Sequence, residues 1–264
     1  MTNNLVSIIT PIFNSCKWVD NLLDIILSQT YANWEWIVID DCSSDDTYNR
    51  ISKIAESDPR IKVFKNIRNL GPAETRNIGI KLSTGRFISF LDADDEWEPN
   101  KLELQINYMI INNFYMSYHD YRHMSFDGSK VGDVVKGPEK LDWKTHHIKR
   151  GIGCLTIMFD RTLGDLPYFP ELSKNIIAED FLAWSNVLKN NAIAYRVPYD
   201  LARYRLSNKA RSSNKLYAAY SVWYIYYCIE KIPLLKSLFF WAQYAINATV
   251  LHKKSRPYIE LEKK

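Results

Sequence analysis

The chain has little of what defines several common protein classes. Its four cysteines, Cys16, Cys42, Cys154 and Cys228, are widely spaced and form no C-x-x-C pair. That argues against a disulfide scaffold and suits free thiols in a reducing compartment. No G-x-G-x-x-G follows the first strand pattern, which argues against a Rossmann dinucleotide enzyme. No G-x-x-x-x-G-K-[ST] is present, which argues against a P-loop NTPase. No uncharged apolar run reaches the length of a membrane span. Met1-Thr2-Asn3-Asn4 leads directly into a strand pattern, with neither a basic n-region nor an apolar h-region, so no secretory leader is expected. The formal charge of +4 is too small to argue for nucleic acid, though it is compatible with an acidic partner or an anionic membrane surface. A cytoplasmic protein is the simplest expectation.

What is present points to an α/β fold. The 264 residues, 47% of them hydrophobic, suffice for one large domain or a domain plus an appendage. Over the first hundred residues strand and helix patterns alternate. Residues 5–10 read as a buried strand closed by Pro11, and residues 17–29 as a helix with Val19, Leu22, Leu23, Ile26 and Leu27 on one face. Residues 35–39 form a second strand ending at Asp40 and Asp41. Ser43, Ser44, Asp45, Asp46 and Thr47 then offer caps for a helix to Glu56. A short strand at 61–64 precedes a turn in which Pro72 suits the first helical position. The helix runs to about Ser83, with Gly85 as a left-handed cap, and residues 87–91 form the fourth strand. This alternation predicts a doubly wound, mostly parallel sheet with helices on both faces. Right-handed crossovers then bring Pro11, Asp40, Asp41, Asp92 and Asp94 to one edge, where open α/β sheets bind ligands.

The fourth strand ends in Asp92-Ala93-Asp94-Asp95. Crowded carboxylates repel one another, and a divalent cation with a taste for hard oxygen ligands relieves that. Such a cation also holds a phosphate that the carboxylates alone would reject. The site therefore reads as one for a nucleoside diphosphate with Mn²⁺ or Mg²⁺. An acidic turn in solvent is the plainer alternative for an isolated Asp-x-Asp.

Four motifs in order carry a resemblance. They are Val6-Ser7-Ile8-Ile9-Thr10-Pro11-Ile12-Phe13-Asn14, Trp36-Ile37-Val38-Ile39-Asp40-Asp41-Cys42-Ser43-Ser44-Asp45, Asn69-Leu70-Gly71-Pro72-Ala73-Glu74-Thr75-Arg76-Asn77-Ile78-Gly79, and Leu91-Asp92-Ala93-Asp94-Asp95. The sequence resembles a family 2 glycosyltransferase with the GT-A fold, of the kind that builds bacterial surface polysaccharides. The match is specific over residues 5–100. It continues more loosely through Ala178-Glu179-Asp180-Phe181-Leu182-Ala183-Trp184, then Arg203-Tyr204-Arg205 and Ser212-Ser213-Asn214-Lys215.

The resemblance implies a role for each matched position. Pro11 and Phe13, with Asn14 in the same motif, would line a uracil pocket. Asp40 or Asp41 would accept from the uracil N3–H. Cys42 replaces a glycine common in that loop, a change felt only by the local backbone. Arg76 would contact the nucleotide. Asp94 would bind the metal directly, and Asp92 would lie near the ribose as a second acid of the motif, with Ala93 between them. Asp95 would cap the following turn. Arg205 and Lys215 would close over the diphosphate, unless they are ordinary surface cations. An acceptor hydroxyl must lose a proton as it attacks, and Asp180, with Glu179 beside it, is the candidate base. The same acids would also suit a helix N-terminus. Single displacement would invert the anomeric centre.

Other polar residues read as structural. His119 and His123 fall on a strand pattern and make no zinc pair. His146 and His147 read as a solvated face. Residues 125–140 read as a loop over the acceptor side, and residues 151–160 as a turn and a core strand. The C-terminal part is uncharged and aromatic at 216–229, then again uncharged at 237–251. Lys209, Arg211, Lys215, His252, Lys253, Lys254 and Arg256 stand at the ends of these runs. Aromatics beside basic residues suit a membrane interface; packing on the catalytic domain or another subunit is the plainer reading.

The expected organisation is a catalytic domain at 1–215, with 1–100 binding the nucleotide sugar and 101–215 serving the acceptor, and a helical appendage at 216–264. The expected activity is transfer of a hexose or N-acetylhexosamine from a UDP-sugar to a lipid-linked saccharide, in O-antigen- or capsule-type synthesis, at the inner face of the plasma membrane. The alternatives are a nucleotidyltransferase acting on sugar phosphates, or a non-catalytic assembly subunit that binds sugar nucleotides and oligomerises through its C-terminal helices.

Overall fold

The structure is a computed structural model, and it describes residues 4–149, 152–173, 176–206, 215–254 and 259–260. The Ser212–Asn214 motif, Lys209, Arg211 and Arg256, and the side chains of Lys215, His252, Lys253 and Lys254, lie outside the described residues. Four parallel strands form its centre in the order β3 (Ile61–Lys65), β2 (Trp34–Asp40), β1 (Val6–Ile12) and β4 (Phe87–Phe90). β1, β2 and β4 are buried on both faces, as their unbroken apolar runs require. On one face α1 (Val19–Leu27) packs Val19, Leu22 and Ile26 against Ile8, Trp36 and Val38. On the other, α3 (Pro72–Leu82) brings Ile78 and Ile80 to Ile9, Ile37 and Ile39. α2 (Thr47–Ala55) joins β2 to β3. The α/β class with helices on both faces is thus confirmed.

β1 runs through Pro11, which pairs in register with Ile39. Ile9 accepts from the Leu91 amide on the β4 side, so Pro11, two residues on, also faces that side. β4 has ended there at Phe90, and the missing N–H costs the sheet nothing. Gly85 is not the left-handed cap expected. Ser83 closes α3 with an extended backbone, and Gly85 is required by proximity instead: a Cβ there would stand 2.7 Å from the Leu5 carbonyl and the Ser7 amide.

Beyond β4 the sheet becomes mixed. β9 (Met158–Asp160) lies antiparallel between β4 and β6 (Met116–Met124). The long β10 (Ala194–Arg205) pairs parallel with β6, and antiparallel with the two-residue β5 (Glu96–Trp97) and β8 (Lys140–Leu141). α4 (Lys101–Asn112) covers this part, with Leu102, Ile106 and Met109 buried. Residues 125–140 are not a plain loop: they contain β7 (Lys130–Val135), which pairs with β6 as a hairpin, and the start of β8. The valines of 130–135 gave the strand signal that the surrounding glycines obscured. β11 (Ile259–Glu260) adds to β7.

The C-terminal helices form a third core. α7 (Lys215–Tyr224) continues as a π-helical turn at Ile225–Ile229, and α8 (Leu234–Lys254) folds back along it. Val222, Ile225, Tyr226, Ile232, Phe240 and Tyr244 pack against Ile176 and Leu182, the latter in α6 (Glu179–Leu188). His146 and His147, in α5 (Trp143–Ile148), are not a solvated face. Both are buried: His146 stacks on Phe181 at 4.2 Å, and the two His147 nitrogens meet the Trp143 carbonyl at 2.7 Å and Glu230 at 2.8 Å. The helical segment had lost its outward face to α7 and α8. On the far side of α8, Leu235, Leu238, Phe239 and Ile246 are exposed. No helix among the described residues is long and apolar enough to cross a membrane.

Candidate active site

The carboxyl ends of β1, β2 and β4 meet at one edge. Asp40 ends β2 with no exposed surface; its Oδ2 accepts from the Ser43 amide at 3.0 Å, while Oδ1 has no hydrogen-bond partner among the described residues. Asp41 organises the next motif. Its Oδ1 accepts from Asn66 Nδ2 and the Leu70 amide, and its Oδ2 from the Gly71 amide, each at 2.8 Å. Gly71 adopts φ 83°, a conformation open to glycine, and Pro72 then begins α3 as its sequence predicts. Asp41 keeps a small exposed edge (4%), which Asp40 lacks. Cys42 stands at φ 63°, where the expected glycine would carry no strain. Phe13 is 49% exposed beside half-buried Pro11, leaving a ring face open at the strand end. Asn14 closes that loop onto the next by accepting from the Ser44 amide at 2.9 Å.

Arg76 joins the two acidic groups. It is buried on α3, and one of its terminal nitrogens donates to both Asp92 oxygens at 2.7 Å. The other terminal nitrogen lies 3.5 Å from Glu179 Oε1. Its guanidinium stands 5.3 Å from the Phe169 ring, and Asn77 clasps the Phe169 backbone with bonds of 2.8 and 2.9 Å. Residues 87 positions apart in sequence, Asp92 and Glu179, are thereby tied to one cation.

Asp94 and Asp95 are frustrated acids. Burial, and then the neighbouring Asp92 charge, raise the Asp94 carboxyl above the usual range, and no described side chain donates to it. Asp95 is buried and raised well above that range, by burial first and then by Asp94 and Asp92. It does not cap the turn toward Trp97; it accepts from the Arg205 amide at 3.0 Å. Arg205 is buried too and grips this turn from behind. Its Nε donates to the Asp94 carbonyl at 2.8 Å, and its terminal nitrogens reach Glu96 and the Phe126 carbonyl. It is thus neither a surface cation nor, with these bonds made, free to fold over a diphosphate.

Asp180 lies in the first turn of α6, where the helix dipole favours a negative charge. Burial and the adjacent Glu179 nonetheless outweigh Arg76 and the Phe181 amide, and its carboxyl is pushed up to about 6. A carboxylate held there is a stronger proton acceptor than a solvated one and still ionises at neutral pH.

Two neighbours escaped the sequence reading. Cys154 is buried among Arg76, Asp92, Asp180 and Glu179, and burial holds its thiol well above its usual pKa; nothing in its flanking residues signals this placement. Exposed Lys17 sits 4.4 Å from the Trp18 ring and 4.2 Å from that of Phe126, with its charge acting on Asp94. It read as an ordinary residue of the first helix.

Comparison with known proteins identifies the family. The sequence model described as glycosyl transferase family 2 matches residues 7–165. The chain belongs to that family. It is 35% identical over 94% of its length to TuaG of Bacillus subtilis (strain 168), a glycosyltransferase provisionally assigned to teichuronic acid biosynthesis, and covers 98% of that protein. It is 42% identical over 81% of its length to WfgD of Escherichia coli, described as a UDP-Glc:alpha-D-GlcNAc-diphosphoundecaprenol beta-1,3-glucosyltransferase, and covers 82% of it. Among solved structures, S. aureus TarS (residues 1–349) in complex with UDP-GlcNAc superposes with a TM-score of 0.65 at 18% identity, over 95% of this chain and 81% of that one. This family 2 member therefore shares the GT-A fold and is a glycosyltransferase.

Proposed function

We propose that this glycosyltransferase moves a hexose or N-acetylhexosamine from a UDP-sugar to a lipid-linked saccharide, with inversion, during polysaccharide synthesis at the inner membrane face. The observation that carries the reading is that Arg76 ties Asp92, two residues before Asp94, to Glu179, the residue beside Asp180. Donor chemistry lies on one side of it and acceptor chemistry on the other. WfgD, by its description, uses UDP-glucose and a diphosphoundecaprenol acceptor, which supports both halves.

The residues present fit a divalent cation. Asp94 is a half-buried carboxylate without a described donor side chain, next to a second acid. Among the described residues no three His, Cys, Asp or Glu side chains form a chelating group. Carboxylate oxygens suit Mg²⁺ or Mn²⁺, hard cations that can complete their shell with phosphate oxygens and water. Asp94, with Asp92, would hold it, and it would supply charge neutralisation for the departing diphosphate.

The chain's own groups do the rest. Phe13 and Pro11 offer a flat apolar wall to the base, and Asp41, through its exposed edge, accepts from uracil N3–H. Arg76 fixes the Asp92 carboxylate toward the ribose. The Asp180 carboxylate takes the proton of the acceptor hydroxyl as that oxygen bonds to the anomeric carbon. The bond from that carbon to the UDP oxygen breaks on the opposite face, so the configuration inverts. The exposed apolar stripe of α8, flanked by Lys231 and Lys236, is suited to the lipid surface that carries the acceptor.

The test is product analysis with a panel of UDP-sugars, starting from UDP-glucose and a GlcNAc-diphosphate lipid. Release of UDP with a new glycosidic bond is expected. Release of pyrophosphate from UTP and a sugar 1-phosphate in a parallel assay would make the protein a nucleotidyltransferase, and unchanged donors throughout would make it a binding subunit.

A further inference from the structure

The segment that delivers the acids is held by the C-terminal helices. Ala178, immediately before Glu179 and Asp180, has φ 143° and ψ 38°. This lies far from the left-handed basin near φ about 57° that a non-glycine residue sometimes visits. Such a backbone persists only where its surroundings over-determine it. On the far side of Ala178, its carbonyl accepts from the Leu182 amide at 3.2 Å and so starts α6. On the near side the chain is fastened to α7. The Ser221 hydroxyl accepts from the Ile177 amide at 3.1 Å and donates to the Tyr217 carbonyl at 2.9 Å. Ser221 has no exposed surface, so water does not compete for these bonds. Ile176, 4% exposed, packs in one cluster with Val222 and Ile225 of the same helical run.

We infer that Ser221 is a positioning residue for the catalytic acids. Its hydroxyl pins the Ile177 amide and thereby keeps Ala178 in the turned conformation that presents Asp180 to the site. The donation to Tyr217 fixes the hydroxyl hydrogen, leaving a lone pair directed at Ile177. α7 is therefore part of the mounting of the base, independently of any contact it makes with lipid. The inference rests on the reading of Asp180 as the base.

The test compares full-length Ser221→Ala, Ala178→Gly and the double variant with the wild type. The readouts are kcat with UDP-glucose and the GlcNAc-diphosphate lipid, UDP affinity by calorimetry, and Tm. Loss of the pin should lower kcat about ten-fold, since displacements of an ångström have effects of that order or more, while UDP affinity stays within about two-fold. Adding Ala178→Gly to Ser221→Ala should recover most of the rate, because glycine takes this backbone without strain. A merely structural serine would not be rescued by a more flexible residue at a helix start. Unchanged kcat in Ser221→Ala, a parallel loss of UDP affinity, or a double variant as slow as Ser221→Ala overturns the proposal. Should Ser221→Ala fail to fold, or the acceptor pair prove inert, Ala178→Gly alone decides. A raised Tm supports a held, strained Ala178, and an unchanged or lowered Tm overturns it. Normal turnover in Asp180→Asn would remove the base assignment and leave that Tm result standing.

Discussion

Glu35 is buried and Asp180 half-buried, and their carboxyls are shifted in opposite directions. Glu35 stands near the start of β2, at the rear edge of the sheet. Burial alone would raise its carboxyl, yet bonds from Lys62, Ser7 and Thr84 outweigh burial and bring it down to about 2. Five donor contacts of 2.5 to 3.1 Å reach its two oxygens, from Ser7, Thr84, Gly85 and Lys62. Asp180 stands at the front edge, with one backbone donor at 2.7 Å and a like charge beside it, and rises to about 6. Burial therefore does not set the direction of the shift. In this pair the supply of donors does: Glu35 is met on every side, and Asp180, left short, keeps its affinity for a proton.

The sharpest way to break this contrast is at the front edge. Asp180→Asn keeps the size and loses the proton acceptor, so transfer should fall by about two to four orders of magnitude, with UDP affinity nearly unchanged. Initial rates and calorimetry check it; near-normal turnover would move the base elsewhere, to Glu179 first. Asp94→Ala should abolish the Mn²⁺ dependence of UDP binding, with affinity in Mn²⁺ dropping at least about ten-fold. Equal UDP affinity of the wild type in Mn²⁺ and in chelator would sink the assignment of the acidic pair. At the rear edge, Glu35→Ala should leave kcat per folded molecule intact and cost about 3 kcal/mol of stability, because buried donors lose their partner. Urea unfolding monitored by circular dichroism measures this, and a change below 1 kcal/mol would count against the contrast.

pH should separate the two acids most finely. Glu35 has a folded pKa below its unfolded value, so its stabilisation is full above about 4.5 and is lost as pH falls toward 2. Asp180 has a folded pKa above its unfolded value, so the stability it lends is present below about 4 and is lost as pH rises through about 6. Over that higher window the base becomes competent, and the transfer rate should climb with a midpoint near 6. Glu35→Gln should leave this limb in place. A limb unmoved in the residual activity of Asp180→Asn would assign it to another group.

The front edge was legible in the sequence because its parts are local. Asp40, Asp41, Asp92 and Asp94 each end or follow an apolar run, and parallel topology alone gathers them. What each acid does was less legible, since that depends on partners far along the chain. Arg205, 111 residues from Asp94, binds its carbonyl, and Arg76 bridges to Glu179 at a separation of 103. No spacing rule reveals such pairs. His146 and His147 misled for a related reason. Their sequence neighbours are charged, and only the return of α7 and α8 over α5 buries them. Gly85 shows the same limit at short range: the sequence correctly marked a glycine that matters, and only packing shows that closeness, not handedness, requires it.

The placement of β9 has a consequence in time. Its three residues, 158–160, close the gap between β4 and β6, although β4 was completed seventy residues earlier. As the chain leaves the ribosome, the four parallel strands can assemble with Phe87, Ile88 and Phe90 along an unmated edge, a surface competent to pair with any extended segment nearby. Residue 160 is thus a checkpoint in synthesis. Until it emerges, the nascent protein carries four paired strands and an open seam, and the interval depends on translation speed over residues 91–160 rather than on the stability of the finished fold.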